Sequence, residues 1–301
     1  MKERPYLLHM ISAVKNLSPF DVNMAYDAGW TGCMPYTGVT LDEVPDLVQD
    51  AIFSRGPKGV KRTGIFFGGR DANLAMDMME AARSAMVPPF EISLFADPSG
   101  AFTTAAGMVA CVEKHLRQSH GVGLEGQRVL MFGGTGPVGS TAAMLTAQAG
   151  ADTVIVSHRS QAKADSMVRL CNERYRVAMT GADGSDDVLI LDLVRDADII
   201  FNAAKAGVRV LSAEHLGAAG RLKIACDVNA VPPEGIEGLG VMDDAKPLAG
   251  SGSGAVGIGA LTVGNVKYQA QHLLLKKMYQ EDAPQYLDFN QAFEVARSHV
   301  G

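Results

Sequence analysis

The chain has 301 residues, 47% of them hydrophobic and 20% charged, with a formal net charge of -6. That length accommodates two cores of ordinary size, and both signs of charge are spread along it without a basic tract, which argues against nucleic-acid or membrane-surface partners. No apolar run reaches the roughly 18 residues that span a bilayer, Met1-Lys2-Glu3-Arg4-Pro5 lacks the features of a signal peptide, and the four cysteines (Cys33, Cys111, Cys171, Cys226) show no ligand spacing, so the expectation is a cytoplasmic protein with buried reduced thiols and no metal.

In chain order, Tyr6 to Ile11 reads as a strand and Asp21 to Ala28 as a helix, with Asp21 in an N-cap position after Pro19-Phe20. Thr40-Leu41-Asp42-Glu43 is a capping-box pattern before an amphipathic segment that runs to Ile52. Gly64 to Phe67 is a buried strand ending in Gly68-Gly69, Asp71 to Ala85 is helical, Phe90 to Phe95 is a further strand, and Thr103 to Leu116 is another helix. Strands alternating with helices predict a mostly parallel sheet with right-handed crossovers. His120-Gly121-Val122-Gly123 reads as the hinge to a second unit.

The second unit opens on the most specific local signal in the chain. Phe132-Gly133-Gly134-Thr135-Gly136-Pro137-Val138-Gly139 follows a β-type run, Arg128 to Phe132, and leads into a helical one, Ser140 to Gln148. That is the setting of a dinucleotide fingerprint: Gly134 for the tight turn, Gly136 for close approach of a pyrophosphate, Gly139 for packing of helix on strand. The phosphates would rest on Gly134 to Val138, against the free N–H groups of the helix N-terminus, at the positive end of the helix dipole. The alternative is a merely structural glycine turn. A second β-type run, Thr153 to Ser157, completes a βαβ unit and ends in His158-Arg159-Ser160. NAD sites usually carry an Asp or Glu there, whereas NADP sites need room and a cation; Arg159 and the Ser160 hydroxyl could hold a 2′-phosphate, or Arg159 could be an ordinary solvated arginine. NADP and NAD are both expected to bind.

Ala197 to Ala204 reads as the fourth strand of this fold and Leu222 to Asp227 as the fifth. The loops that follow, starting with Ala203-Ala204 and Asp227-Val228-Asn229, leave the carboxyl ends of parallel strands, where ligands of open α/β sheets bind. Asp227 and Asn229 could equally be turn residues that bond nearby backbone. A helix from about Leu261 to Met278 returns the chain to the first unit, and Leu287 to Val300 closes it. The fold class expected is α/β: an N-terminal α/β substrate domain (1–121 and 262–301) and a Rossmann-type dinucleotide domain (122–261), with C-terminal helices returning to the first.

Several segments carry a wider likeness. Ser18 to Ala25, Pro35 to Val39, Phe95 to Pro98 with Phe102-Thr103-Thr104, Asp227 to Pro233, and Gly257 to Leu261 with Val263 to Gln269 resemble the NAD(P)-dependent methylene-tetrahydromethanopterin dehydrogenases of methylotrophic bacteria. The resemblance covers essentially the whole chain. It implies hydride transfer from methylene-tetrahydromethanopterin to NAD(P) in formaldehyde oxidation, an active site in a cleft between the domains, and a homo-oligomer built on trimers (trimer or hexamer). A methylene-tetrahydrofolate dehydrogenase is the alternative, although the Tyr-x-x-x-Lys helix of its usual cyclohydrolase partner activity is not found after Tyr26 or Tyr36; a non-catalytic NADP sensor is a more distant one.

The chemistry needs little from the protein. A methylene between two nitrogens loses hydride directly, because both nitrogens stabilise the amidinium-like cation left behind; positioning and a suitable field suffice. The candidates for the pterin side are therefore polar groups rather than a triad. Asp97, at a strand end, is expected to direct its carboxylate into the crevice, and Lys267, in an otherwise apolar helical region, either snorkels to solvent or positions the substrate. Asp21 could cap a helix or touch the pterin, Thr103 and Thr104 could cap or hydrogen-bond it, and Tyr36 could stack on it or simply pack.

Overall fold

A computed structural model describes residues 4–301; Met1 to Glu3, on which part of the reading of the N-terminus rests, lie outside the described residues. The first strands and helices are β1 (Leu7–Ser12), α1 (Pro19–Asp27), β2 (Gly32–Thr37), α2 (Val44–Phe53), α3 (Pro57–Val60), β3 (Thr63–Phe67), α4 (Ala72–Ser84), β4 (Ser93–Ala96) and α5 (Ala101–His120). There follow β5 (Arg128–Phe132), α6 (Pro137–Gln148), β6 (Asp152–Ser157), α7 (Gln161–Tyr175), β7 (Met179–Asp183), α8 (Asp187–Val194), β8 (Ile199–Asn202), α9 (Ala213–Ala218) and β9 (Ile224–Asp227). The chain ends with β10 (Asp244–Pro247), β11 (Val256–Ile258), α10 (Ala260–Gln280), β12 (Tyr286–Leu287) and α11 (Phe289–Val300).

Two compact units result. One comprises the chain up to Thr103 together with Tyr268–Val295, the other Thr104–Lys267 together with Ala296–Gly301. The division thus falls inside α5 and inside α10, earlier in the chain than the glycine pair near His120.

The first unit is a five-stranded sheet in the order β12-β4-β3-β1-β2, with every pairing parallel. Its central strand β3 is buried along its whole length, as a parallel strand covered on both faces must be. Helices start where the sequence offers caps. Asp71 accepts the N–H groups of Asn73 and Leu74 at the head of α4, and the Glu43 carboxylate takes the Thr40 N–H at 2.7 Å, the reciprocal half of a capping box. The strand expected over Phe90 to Phe95 begins only at Ser93. Phe90 instead closes an isolated bridge with Val87 around Pro88-Pro89, because prolines supply no ladder donor.

The second unit carries a seven-stranded sheet, β10-β11-β9-β8-β5-β6-β7, parallel except where β10 runs against β11. Read from β7, this is the doubly wound 3-2-1-4-5 order, with its switch point between β5 and β8. Apolar residues of β5, β6, β8 and β9, among them Leu130, Val154, Ile200 and Ala225, pack with Leu211, Leu216 and Ile236 into a buried core. The carboxyl ends of the strands are thereby fixed for the loops that follow. All four cysteines are free thiols; three are buried, and burial pushes Cys111 up to about 12. No helix among the described residues is long and apolar enough to cross a membrane.

Candidate active site

Each glycine of the turn after β5 has a different reason to be there. The tight turn is made by Gly133, at φ +72, and not by Gly134 as the fingerprint suggested. A Cβ on Gly133 would lie 2.4 Å from the backbone of Ala203 and Ala204, so this glycine also lets the loops after β5 and β8 touch. A Cβ on Gly134 would meet Ile155 at 2.8 Å and the Met131 carbonyl at 2.9 Å; one on Gly139 would meet the Gly133 carbonyl at 2.4 Å, so the first turn of α6 packs on the glycine turn itself.

Gly136 is different. Its φ is -91, open to any residue, and an added Cβ would find only the Gly133 carbonyl at 3.4 Å. The fold itself therefore makes little demand for glycine at this position. Gly136 is the N-cap of α6 and Pro137 its first residue. The N–H groups of Val138 and Gly139 lie in the first turn, where no intrahelical acceptor is available. A cradle of this shape, beside unpaired N–H donors and Thr135, fits a pyrophosphate.

At the end of β6, His158 and Arg159 are exposed and Ser160 caps α7, its hydroxyl oxygen accepting the Lys163 N–H at 3.3 Å. The Ser157 hydroxyl oxygen accepts the Arg159 N–H at 3.2 Å and fixes the bend. The side chain of Arg159 takes part in no ion pair among the described residues, and so is available to an anion.

The loops after β8 and β9 are tied together beneath their surface. Asn202, Asp227 and Asn229 are all buried. Asn202 Nδ2 donates to Asp227 Oδ1 at 2.9 Å, which also accepts the Asn229 N–H, while Oδ2 accepts the Ile236 N–H at 3.0 Å. Asn229 Oδ1 accepts the N–H groups of Gly207 and Val231. Burial pushes the Asp227 carboxyl up, against these hydrogen bonds to its charged form. Of the two readings, turn chemistry is the one the contacts display. Asp227 and Asn229 shape the loop from below, and Ala203 and Ala204, half-buried against Gly133, form part of its surface.

In the first unit the candidate residues do not all converge. Asp97 is fully buried rather than directed outward: Oδ1 accepts the N–H groups of Phe102 and Thr103 at 2.9 and 3.2 Å, and Oδ2 accepts the Thr103 hydroxyl at 2.6 Å. The N-terminus of α5 offers unpaired donors and a positive dipole end, and these draw the carboxylate inward. Thr103 is consequently buried beneath the cap that Asp97 makes, with Thr104 half-exposed beside it. Asp21, unlike Asp97, is not a cap; Ser18 holds the N-cap position of α1. Asp21 lies within the first turn of α1 and accepts a hydrogen bond from Gln271 of α10 at 2.8 Å, both side chains being buried.

Tyr36 belongs elsewhere. Alternation along β2 puts Pro35 and Thr37 on the face that meets α1 and Tyr36 on the face that meets α2. A cavity of about 370 Å³ lined by Lys15, Leu17, Pro19, Val22, Pro35 and Thr37 lies on the first face. Tyr36, His9, Leu47 and Ala51 line another of about 260 Å³ on the second. The Tyr36 hydroxyl lies 3.1 Å from His9 Nδ1, whose pKa is lowered by burial and by the charge of Arg55. In the other unit Lys267 is half-buried on α10, where Gly107 of α5 comes close enough that a Cβ would sit 3.4 Å from the Lys267 nitrogen.

At the carboxyl edge of the first sheet Ser99 adopts a left-handed conformation, φ 55, and its hydroxyl donates to the Gly69 carbonyl at 2.6 Å. Nothing in the sequence separates this serine from an ordinary turn residue.

The family model described as methylene-tetrahydromethanopterin dehydrogenase, N-terminal, matches residues 19–99. The NAD(P)-dependent methylenetetrahydromethanopterin dehydrogenase of Methylorubrum extorquens is 46% identical over 98% of this chain and 99% of its own length. This chain belongs to the methylene-tetrahydromethanopterin dehydrogenase family. The bifunctional protein MdtA of the same organism is 32% identical over 93% of the chain and 94% of that protein. Among solved structures, shikimate 5-dehydrogenase of Listeria monocytogenes, in complex with shikimate and NAD, superposes with a TM-score of 0.53 at 14% identity, covering 98% of this chain and 99% of that one. An NAD-dependent malic enzyme of Thermotoga maritima gives 0.57 at 12% identity, over 97% of this chain and 84% of that one. These two likenesses establish the Rossmann-type α/β fold of the dehydrogenase.

Proposed function

We propose that this dehydrogenase removes a hydride from methylene-tetrahydromethanopterin to give the methenyl form, as a step of one-carbon oxidation, with NADP or NAD as cofactor. The observation that carries the reading is near full-length identity to a relative named for that reaction, joined to a glycine turn whose least constrained position, Gly136, lies beside a helix N-terminus. The dinucleotide, when bound, supplies the two-electron acceptor.

The chain's own residues bind and orient. Gly134 to Gly139 hold the pyrophosphate, with Thr135, Gly136 and Val138 nearest to it and Pro137 setting the first helical turn. His158, Arg159 and Ser160 receive the 2′ end, the guanidinium opposing a 2′-phosphate where one is present. Ala203 and Ala204 provide the loop surface that Asp227 and Asn229 support from below. In the donor reaction a C–H bond breaks with its electron pair leaving as hydride, and no proton moves, so no side chain has to act as acid or base. Lys267 and Thr104 meet the pterin; Asp97, Thr103 and Asp21 act through the helix and the Gln271 contact they hold; Tyr36, on the opposite face of β2, packs. The enzyme works in the cytoplasm as a homo-oligomer, a trimer or hexamer.

Methylene-tetrahydromethanopterin and methylene-tetrahydrofolate offered in parallel with NADP, followed by the absorbance of NADPH, test the reaction. Rapid reduction with the methanopterin is expected. Turnover with the folate alone would transfer the enzyme to folate chemistry, and binding of NADP without turnover of either would leave a sensor.

A further inference from the structure

We infer that Asp183 sets the balance between NAD and NADP, an inference that rests on the dinucleotide reading above. The end of β6 lacks the carboxylate that usually meets the ribose 2′-hydroxyl, but the neighbouring strand β7 ends in one, Asp183. Ser157 of β6 pairs with Asp183 of β7, and the Gly184 N–H donates to the Ser157 carbonyl at 2.9 Å. The chain after β7 then lies flat against β6: a Cβ on Gly184 would come within 2.6 Å of Val156.

Asp183 reaches from this position into the segment that carries Arg159. Its Oδ2 accepts the N–H of Gln161, the first residue of α7, at 3.2 Å, and its Oδ1 accepts the Ser185 N–H at 3.0 Å. The Ser157 to Gln161 bend is held from below by the Ser157 hydroxyl and from the side by this carboxylate. Hydrogen bonding from Ser185 keeps this half-buried carboxyl below the usual carboxylate range, so it is ionised at neutral pH.

Two consequences follow for a cofactor seated on that bend. A ribose 2′-hydroxyl can donate to the carboxylate, whereas a 2′-phosphate meets its negative charge and must also compete with it for the Gln161 N–H, the leading donor of the helix. Arg159 acts in the opposite sense. A cation and an anion flanking one site give an enzyme that accepts both dinucleotides and excludes neither.

Asp183→Asn preserves an oxygen for the Gln161 N–H and removes the charge. Calorimetric titration of the folded variant with NADP and with NAD should show NADP affinity rising roughly two- to fivefold relative to NAD, the size of an exposed charge interaction. The gain should shrink as salt shortens the Debye length. Asp183→Ser should shift the ratio in the same direction. A ratio that both substitutions leave unmoved at low salt overturns the inference. Arg159→Ala separates this failure from failure of the underlying reading: NADP should weaken roughly ten- to a hundredfold with NAD almost untouched. Equal losses for both cofactors would remove the 2′-phosphate site itself, and the inference with it.

Discussion

Gly136→Val is expected to abolish dinucleotide binding while leaving a folded protein. The glycines of this one turn differ in what surrounds them. Valine at Gly133 or Gly139 would drive a side chain into backbone at 2.4 Å, and the loss of structure would hide any loss of binding. Valine at Gly136 meets only the Gly133 carbonyl at 3.4 Å, at an ordinary φ, so the turn can keep its shape. What it fills is the space above the first N–H groups of α6. Affinity for NADP and for NAD should fall together by roughly a hundredfold or more, about 2.7 kcal/mol, with the melting temperature near that of the unaltered protein. Titration calorimetry beside a thermal melt checks both halves. Retained affinity would mean that the phosphates rest elsewhere.

The second large effect is expected at Asp97. Its carboxylate satisfies two N–H groups and one hydroxyl at the head of α5, in a site closed to water. Asp97→Ala strips the cap and orphans those donors at a cost of roughly 2 to 4 kcal/mol, a fall in melting temperature on the order of 10 °C for a domain of this size. Asp97→Asn should be milder, because an amide oxygen still accepts the N–H groups and the Thr103 hydroxyl can turn to accept from the amide nitrogen. In kinetics Asp97→Asn and Lys267→Met should both reduce kcat/KM for the pterin, roughly tenfold or more, the scale of a lost preorganised polar group, with dinucleotide affinity little changed. If both substitutions leave the pterin kinetics intact, the residues have structural roles only.

How much was legible in the sequence depended on whether a residue's job is local. The Rossmann strands stood out because β5, β6, β8 and β9 are buried on both faces and read as continuous apolar runs. Strand β7, Met-Thr-Gly-Ala-Asp, is buried only at Met179 and Ala182 and is too polar to announce itself. Strand β12, two residues at a sheet edge, and the exposed β10 are invisible as well. The glycine fingerprint located the turn but misassigned its bend to Gly134, since which glycine takes positive φ is decided by contact with Ala203, a residue far along the chain. Asp183 escaped notice because parallel pairing, and not sequence spacing, brings it to the Ser157–Gln161 bend. Asp97 and Asp21 were recognised as polar groups at element ends. Their partners, the head of α5 and Gln271, decide that both are buried, and no periodicity shows that.

In the proposed reaction hydride passes directly from the methylene carbon to the dinucleotide, without a protein acid or base. The most direct measurement is the isotopic content of NADPH formed from unlabelled methylene-tetrahydromethanopterin in D2O and from the dideuterated methylene compound in H2O. Direct transfer leaves no solvent deuterium in the first product and one deuterium per molecule in the second. Deuterium entering the nicotinamide ring from solvent would contradict it.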